Sequence, residues 1–343
     1  RPVFVDGRRL GFTGTMAHHV DLGGGSPGSY DMTAKEIYAE GIRIPPLRLY
    51  REGRLNEEAL ALLLQNVRQP AVLRGDLMSQ IAALDIGERG LRQIAVKYGV
   101  PALVAAAERM LDQAEAAMRR VIAALPDGVY EFADCLDDDG VGDAPVYLRL
   151  TLTIAGDGMR FDFSNSDPQA PAPINCTFNV LRSTIHYAVI AVLGRDIPVN
   201  SGCFAPIDVV ARPGTCVAAV APAPVVNRIQ MAHRIVNVVM GAFAQVLPDR
   251  IPAAYYGVSY VYMLETVEGD GRRSIYFDSE VGGWGAEPTR DGANAFSCGV
   301  HNIAAVPIEM LESRHPITFT TYALRPDSGG AGRTRGGLGL VRE

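Results

Sequence analysis

The chain has 343 residues, 48% of them hydrophobic and 20% charged, which excludes global disorder and leaves room for roughly two or three domains. Its 32 Lys and Arg against 38 Asp and Glu give a formal charge of -6, so no basic surplus is present to neutralise a row of phosphates, and nucleic acid is not expected as a partner. No stretch approaches the roughly 18 consecutive apolar residues of a membrane span, and no secretory signal is visible.

Residues 1–55 are rich in Gly and Pro and read as loop and short strand, with a dense cluster His18-His19-Val20-Asp21-Leu22-Gly23-Gly24-Gly25. From Asn56 the pattern changes: an N-cap, acids at Glu57 and Glu58, then Leu60, Leu63, Leu64 and Val67 at helical spacing predict a helix over 57–69. A second is expected over 71–98, with a break at Gly87 and Gly90, and a third from Pro101 to Ala124. Residues 56–126 thus form a helical segment.

The remainder, 127–343, is mixed. Leu148, Leu150, Leu152 and Ile154 alternate with Arg149, Thr151 and Thr153 in a half-buried strand, followed by a turn and a strand over Met159–Phe163. Two further helices are expected over 177–193 and 229–246, then strands over Tyr255–Glu265, Arg273–Ser279 and Ile317–Leu324. The fold class is α+β, with helices and strands segregated more than alternated. The chain opens at Arg1 and stops at Glu343 soon after a glycine-rich run, which reads as a piece of a longer polypeptide.

Cys135, Cys176, Cys203, Cys216 and Cys298 are scattered and include no CxxC pair, the pattern of reduced thiols in a cytoplasm. The strongest chemical cluster is His18, His19 and Asp21 before three glycines. These side chains can converge on a divalent cation, and the glycines let backbone approach a metal or phosphate. Two histidines that hydrogen-bond a loop would look the same. Asp31, Glu36 and Glu40 follow within reach of a returning loop. Asp76, near Arg68 and Arg74, suits a buried ion pair or a substrate-facing group. Cys176 is placed at a helix N-terminus, where a thiolate would be favoured, although a small buried thiol is the commoner outcome. The loops Gly282–Ala286 and Asp327–Gly339 match no nucleotide-binding glycine motif; Arg333 and Arg335 could clamp an anion there, or the glycines could simply make tight turns.

Taken together, the blocks Gly14–Gly24, Ala39–Pro46, Asn66–Arg68, Gly75–Leu77, Pro173–Cys176, Asn200–Phe204, Gly282–Ala286, Pro307–Glu312 and Asp327–Gly332 resemble the hydantoinase B/oxoprolinase family over nearly the whole chain. The resemblance implies a B-type subunit of an ATP-dependent cyclic amide hydrolase, of N-methylhydantoinase or 5-oxoprolinase type, in the cytoplasm. Its partner would be an A-type subunit that binds ATP and phosphorylates the amide oxygen, while this chain completes hydrolysis. Related acetone and acetophenone carboxylases make a ketone carboxylase component the alternative, and a non-catalytic scaffold is a third reading. The resemblance implies a divalent metal (zinc, manganese, iron or magnesium) on His18, His19 and Asp21, with catalytic roles for Asp21, Glu40 and Asp76. Arg43, Asn175 and Cys176 are the expected substrate-binding residues. Arg43 stands where carboxylase-type relatives are expected to carry a histidine, which weakens the carboxylase reading and leaves the third metal ligand open, with Glu40 the nearest candidate.

Overall fold

The alternation at 148–154 is realised in the strand at the centre of the molecule: along Val146–Ala155, Leu148, Leu150, Leu152 and Ile154 are buried and the residues between them are not. The chain is described here from a computed structural model covering residues 1–267, 271, 273–297 and 299–343. Its strands are β1 (Pro2–Val5), β2 (Arg8–Phe12), β3 (Tyr50–Arg51), β4 (Arg54–Leu55), β5 (Gly128–Leu136), β6 (Val146–Ala155), β7 (Gly158–Asp162), β8 (Ile207–Val210), β9 (Tyr260–Val267), β10 (Arg273–Glu280), β11 (Tyr322–Leu324) and β12 (Leu340–Arg342). Its helices are α1 (Glu57–Gln65), α2 (Pro70–Tyr98), α3 (Val100–Ile122), α4 (Phe178–Leu193), α5 (Arg228–Val246) and α6 (Ile308–Arg314). The architecture is α+β.

Strands β5, β6 and β7 form an antiparallel meander, and β8 joins β7 in parallel with Met159 opposite Ile207. Helices α4 and α5 and the C-terminal half of α3 pack onto this sheet. Leu181, Ile185 and Val189 of α4, Ile235, Val239 and Phe243 of α5 and Met118 and Ile122 of α3 meet Leu148, Leu152 and Phe161 in one apolar core. Phe161 and Phe243 contact edge to face at 6.1 Å. The other strands pair as two-stranded hairpins.

Three differences from the sequence expectation have local causes. Helix α1 is capped by Asn56, whose side chain accepts from the Ala59 N–H (3.2 Å), but it stops at Gln65 because the Arg68 backbone N–H turns toward Asp21. Helix α2 runs unbroken through Gly87 and Gly90. Gly87 instead makes room for the β1–β2 hairpin: a Cβ there would lie 3.0 Å from Thr13 Cγ2, and Arg1 reaches across to Asp85 and Glu88. Residues 255–259 precede β9 as irregular chain, since Ser259 exchanges two hydrogen bonds with the Gln230 side chain on α5 (2.7 and 3.0 Å). Cys135, Cys176, Cys203 and Cys216 are free thiols, and Cys298 lies outside the described residues. Among the described residues no helix is long and apolar enough to cross a membrane.

Candidate functional site

The glycine-rich loop after β2 folds around a single carboxylate. Asp21, 4% exposed, accepts from the backbone N–H groups of Gly23 (3.2 Å), Gly28 (3.2 Å) and Arg68 (3.0 Å) and from the Arg68 guanidinium (2.8 Å). The same guanidinium donates to the carbonyls of Gly24 (2.7 Å) and Ser26 (2.9 Å). Glycine is required at 23 and 24, where φ is 82° and 84° and where a Cβ on Gly24 would lie 2.6 Å from the Ala39 carbonyl. Four donors occupy the two Asp21 oxygens. These bonds hold the loop to the start of α2.

The loop is tied at its other end to the N-terminus of α5. Glu40 accepts from the Val225 and Val226 N–H groups (2.5 and 2.8 Å), and the Tyr30 hydroxyl donates to Asn227. Burial pushes the Glu40 carboxyl above its ordinary range and outweighs the two N–H donors that pull it down. Burial likewise pushes Tyr30 up to about 12, against the opposing charge of Arg228. Glu40 therefore tethers the loop to the start of α5. Two expected substrate residues are also committed elsewhere. Asn175, fully buried, donates to the Ala170, Ala172 and Pro224 carbonyls and accepts from Ala170 N–H. Cys176 sits in the core just before Thr177, the cap of α4, with its N–H on the Cys216 carbonyl (2.8 Å) and its thiol on the Val217 carbonyl (3.5 Å). Burial pushes that thiol up, the reverse of an activated cysteine. Arg43 lies with its guanidinium 5.3 Å from the Tyr38 ring centroid.

What the loop leaves available is its pair of imidazoles. His19 Nδ1 is 3.0 Å from Asp76 Oδ2 on α2, so Asp76 orients a histidine. His18 is exposed and lies close enough to His301 to oppose its protonation, a smaller effect than the burial of His301 itself. His301 in turn packs edge to face on His233 of α5, ring centroids 4.6 Å apart. His233 Nδ1 is 3.0 Å from the Tyr255 hydroxyl, and Tyr255 stacks on Trp284 of the glycine loop at 5.5 Å. Burial first, and then the charges of His301 and Arg234, hold His233 down to about 3, so it is neutral. Sequence reasoning misses His301, His233 and Tyr255: they lie on three distant segments, and their one signal is the run of family blocks on either side of His301.

The second glycine loop and the C-terminal glycine run zip together. Gly337 N–H donates to the Trp284 carbonyl, Gly292 N–H to the Arg335 carbonyl, and Arg333 to the Pro288 carbonyl (2.7 Å). A cavity of about 620 Å³ opens between them, lined by Trp284, Arg325, Thr334 and Arg342. A second cavity of about 460 Å³ is lined by His301, Ser297, Asn302 and Tyr322.

Among the described residues no three His, Cys, Asp or Glu side chains are set to hold a metal. The His18 and His19 imidazoles fit a borderline divalent ion, while the Asp21 oxygens meet Arg68 and the loop.

A family model for hydantoinase B/oxoprolinase matches residues 1–343. The putative B component of a D-/L-hydantoinase from a Pseudomonas strain is 32% identical over 361 residues, covering 100% of this chain and 60% of its own length. The beta component of the Pseudomonas jessenii caprolactamase is 33% identical, and the crystal structure of that ATP-dependent caprolactamase superposes with a TM-score of 0.89 over 99% of this chain and 60% of the other. A nucleotide-free acetone carboxylase structure superposes at 0.88 over 99% of this chain and 47% of that one, with 16% identity, a likeness of fold alone. The chain thus spans about 60% of the curated relatives it matches.

Proposed function

Because the chain belongs to the hydantoinase B/oxoprolinase family along all 343 residues, we propose that it is the B-type part of an ATP-dependent cyclic amide hydrolase. It completes the opening of a lactam or hydantoin ring that an A-type partner has phosphorylated. The observation that carries this reading is the superposition on the caprolactamase at 30% identity over 99% of the chain. ATP is bound by the partner, in keeping with the lack of a phosphate-binding glycine motif here. The scattered thiols suit a cytoplasmic setting.

The chemistry supplies the need for two parts. A planar amide resists attack, and O-phosphorylation makes its carbon electrophilic. His18 and His19 would hold a divalent cation, which would supply a water acidified toward neutral pH. This chain's residues do the rest. Asp76 fixes the His19 ring, Arg68 and Asp21 hold the loop that presents both imidazoles, and Glu40 and Tyr30 anchor that loop to α5. Trp284 and Arg325 line the neighbouring cavity, a place for a ring substrate.

The test is reconstitution with an A-type partner and a panel of lactams and hydantoins. Ring opening that requires both proteins and ATP supports the reading. Ring opening by this chain with ATP alone removes the partner, and incorporation of labelled bicarbonate into a ketone replaces the hydrolase with a carboxylase. A complex that forms but does neither leaves a scaffold.

A further inference from the structure

We infer that His233 and His301 form a metal-binding site for a borderline divalent cation of the zinc class, separate from His18 and His19 and independent of the reaction proposed above. His233 is fully buried in the middle of α5. The Tyr255 hydroxyl meets both the His233 carbonyl (3.3 Å) and His233 Nδ1 (3.0 Å); in the tautomer whose ring N–H makes the Nδ1 contact, Nε2 is left as a lone pair. An imidazole tied through one nitrogen with the other free is how a ligating histidine is oriented.

His233 Nε2 and His301 Nδ1 are both buried and neither has a hydrogen-bond partner. Unpartnered buried nitrogens on two touching rings call for a shared ligand, because a buried polar group without a partner is costly. The ring geometry suits an ion. With metal–nitrogen bonds of ~2.1 Å, two imidazoles on one cation have centroids about 5 Å apart, and these lie 4.6 Å apart at 80°. His301 also lines the cavity of about 460 Å³.

The chain, stripped with chelator, is titrated with Zn²⁺ and with Co²⁺, whose visible spectrum reports nitrogen ligation. Two equivalents are expected in the wild type, one on the loop and one here, and one in the His18→Ala/His19→Ala double variant, with the ion of this site bound at least about tenfold more weakly in His301→Ala and in His233→Gln. Melting curves check that each variant folds; if His233→Gln does not, His301→Ala and the wild-type cobalt spectrum decide. No ion in the wild type, or unchanged binding in His301→Ala, overturns the site. Loss of all binding in the double variant places every ion on the loop and also overturns it, while leaving the proposed reaction untouched.

Discussion

Arg68 grips Asp21 twice, once through its backbone N–H and once through its guanidinium, and so fastens the glycine-rich loop to the α1–α2 junction 47 residues away. Removing one partner of such a pair strands the other. Arg68→Ala is expected to cost about 2–3 kcal/mol, below the full cost of breaking a buried pair because the Arg68 side chain is 32% exposed. Arg68→Lys recovers the charge but not the fork that also reaches Gly24 and Ser26, so it should fall between wild type and alanine. Urea midpoints of the three proteins check the order.

His19 and Asp76 make a different kind of pair, one that aims a ring. Asp76 is 37% exposed, so Asp76→Asn should change stability by less than about 1 kcal/mol. In the reconstituted enzyme it should lower ring opening by roughly 10- to 100-fold, the usual penalty for losing the partner of a ligating histidine. Equal activity of Asp76→Asn and wild type would remove Asp76 from the site.

Much of the scaffold is legible because it is written in local periodicity. The 148–154 alternation, the Asn56 cap and the apolar faces of α4 and α5 each need only a window of neighbours. Helix α6, only seven residues long, gives too few turns to establish a period. The roles of site residues are less legible, since a carboxylate looks the same whether it meets a metal or an arginine. Asp21 stands out in the sequence, but its contact with Arg68 arises only through the fold. The partners of Glu40 are hidden for the same reason, being backbone N–H groups at 225 and 226. His233 and His301 meet no motif, as their association is purely tertiary.

Two glycines of α2 should respond oppositely to alanine. Nothing lies within 4 Å of a Cβ on Gly90, so Gly90→Ala should stabilise by up to about 1 kcal/mol through helix propensity. Gly87→Ala meets Thr13 at 3.0 Å and should gain less or lose, by prising the β1–β2 hairpin from the helix. A thermal melt of each variant reads the difference. Equal gains would mean that the hairpin does not press on Gly87.

Glu40 gives a pH signature. Its folded-state pKa is raised above 4.5, so in the window above that value the native protein holds a proton that the unfolded chain has released. Its contribution to stability therefore falls as pH rises through that window. Glu40→Gln cannot ionise, and the wild type should lose ground to it progressively as pH increases from 4.5. Parallel stability profiles for the two proteins would sink this assignment.

The parallel seating of β8 against β7 dictates an order of assembly. β5, β6 and β7 join through near neighbours in sequence, whereas β8 reaches β7 only after the chain has laid down α4 and the turn at Ser201–Phe204. Closing so long a loop costs entropy before any ladder bond repays it. The meander should therefore gain amide protection first during refolding, with Phe163, whose N–H bonds to the Val210 carbonyl, protected only when β8 docks. Until then the β7 edge is open to wrong strands, and aggregation of the refolding chain should fall off as that edge closes.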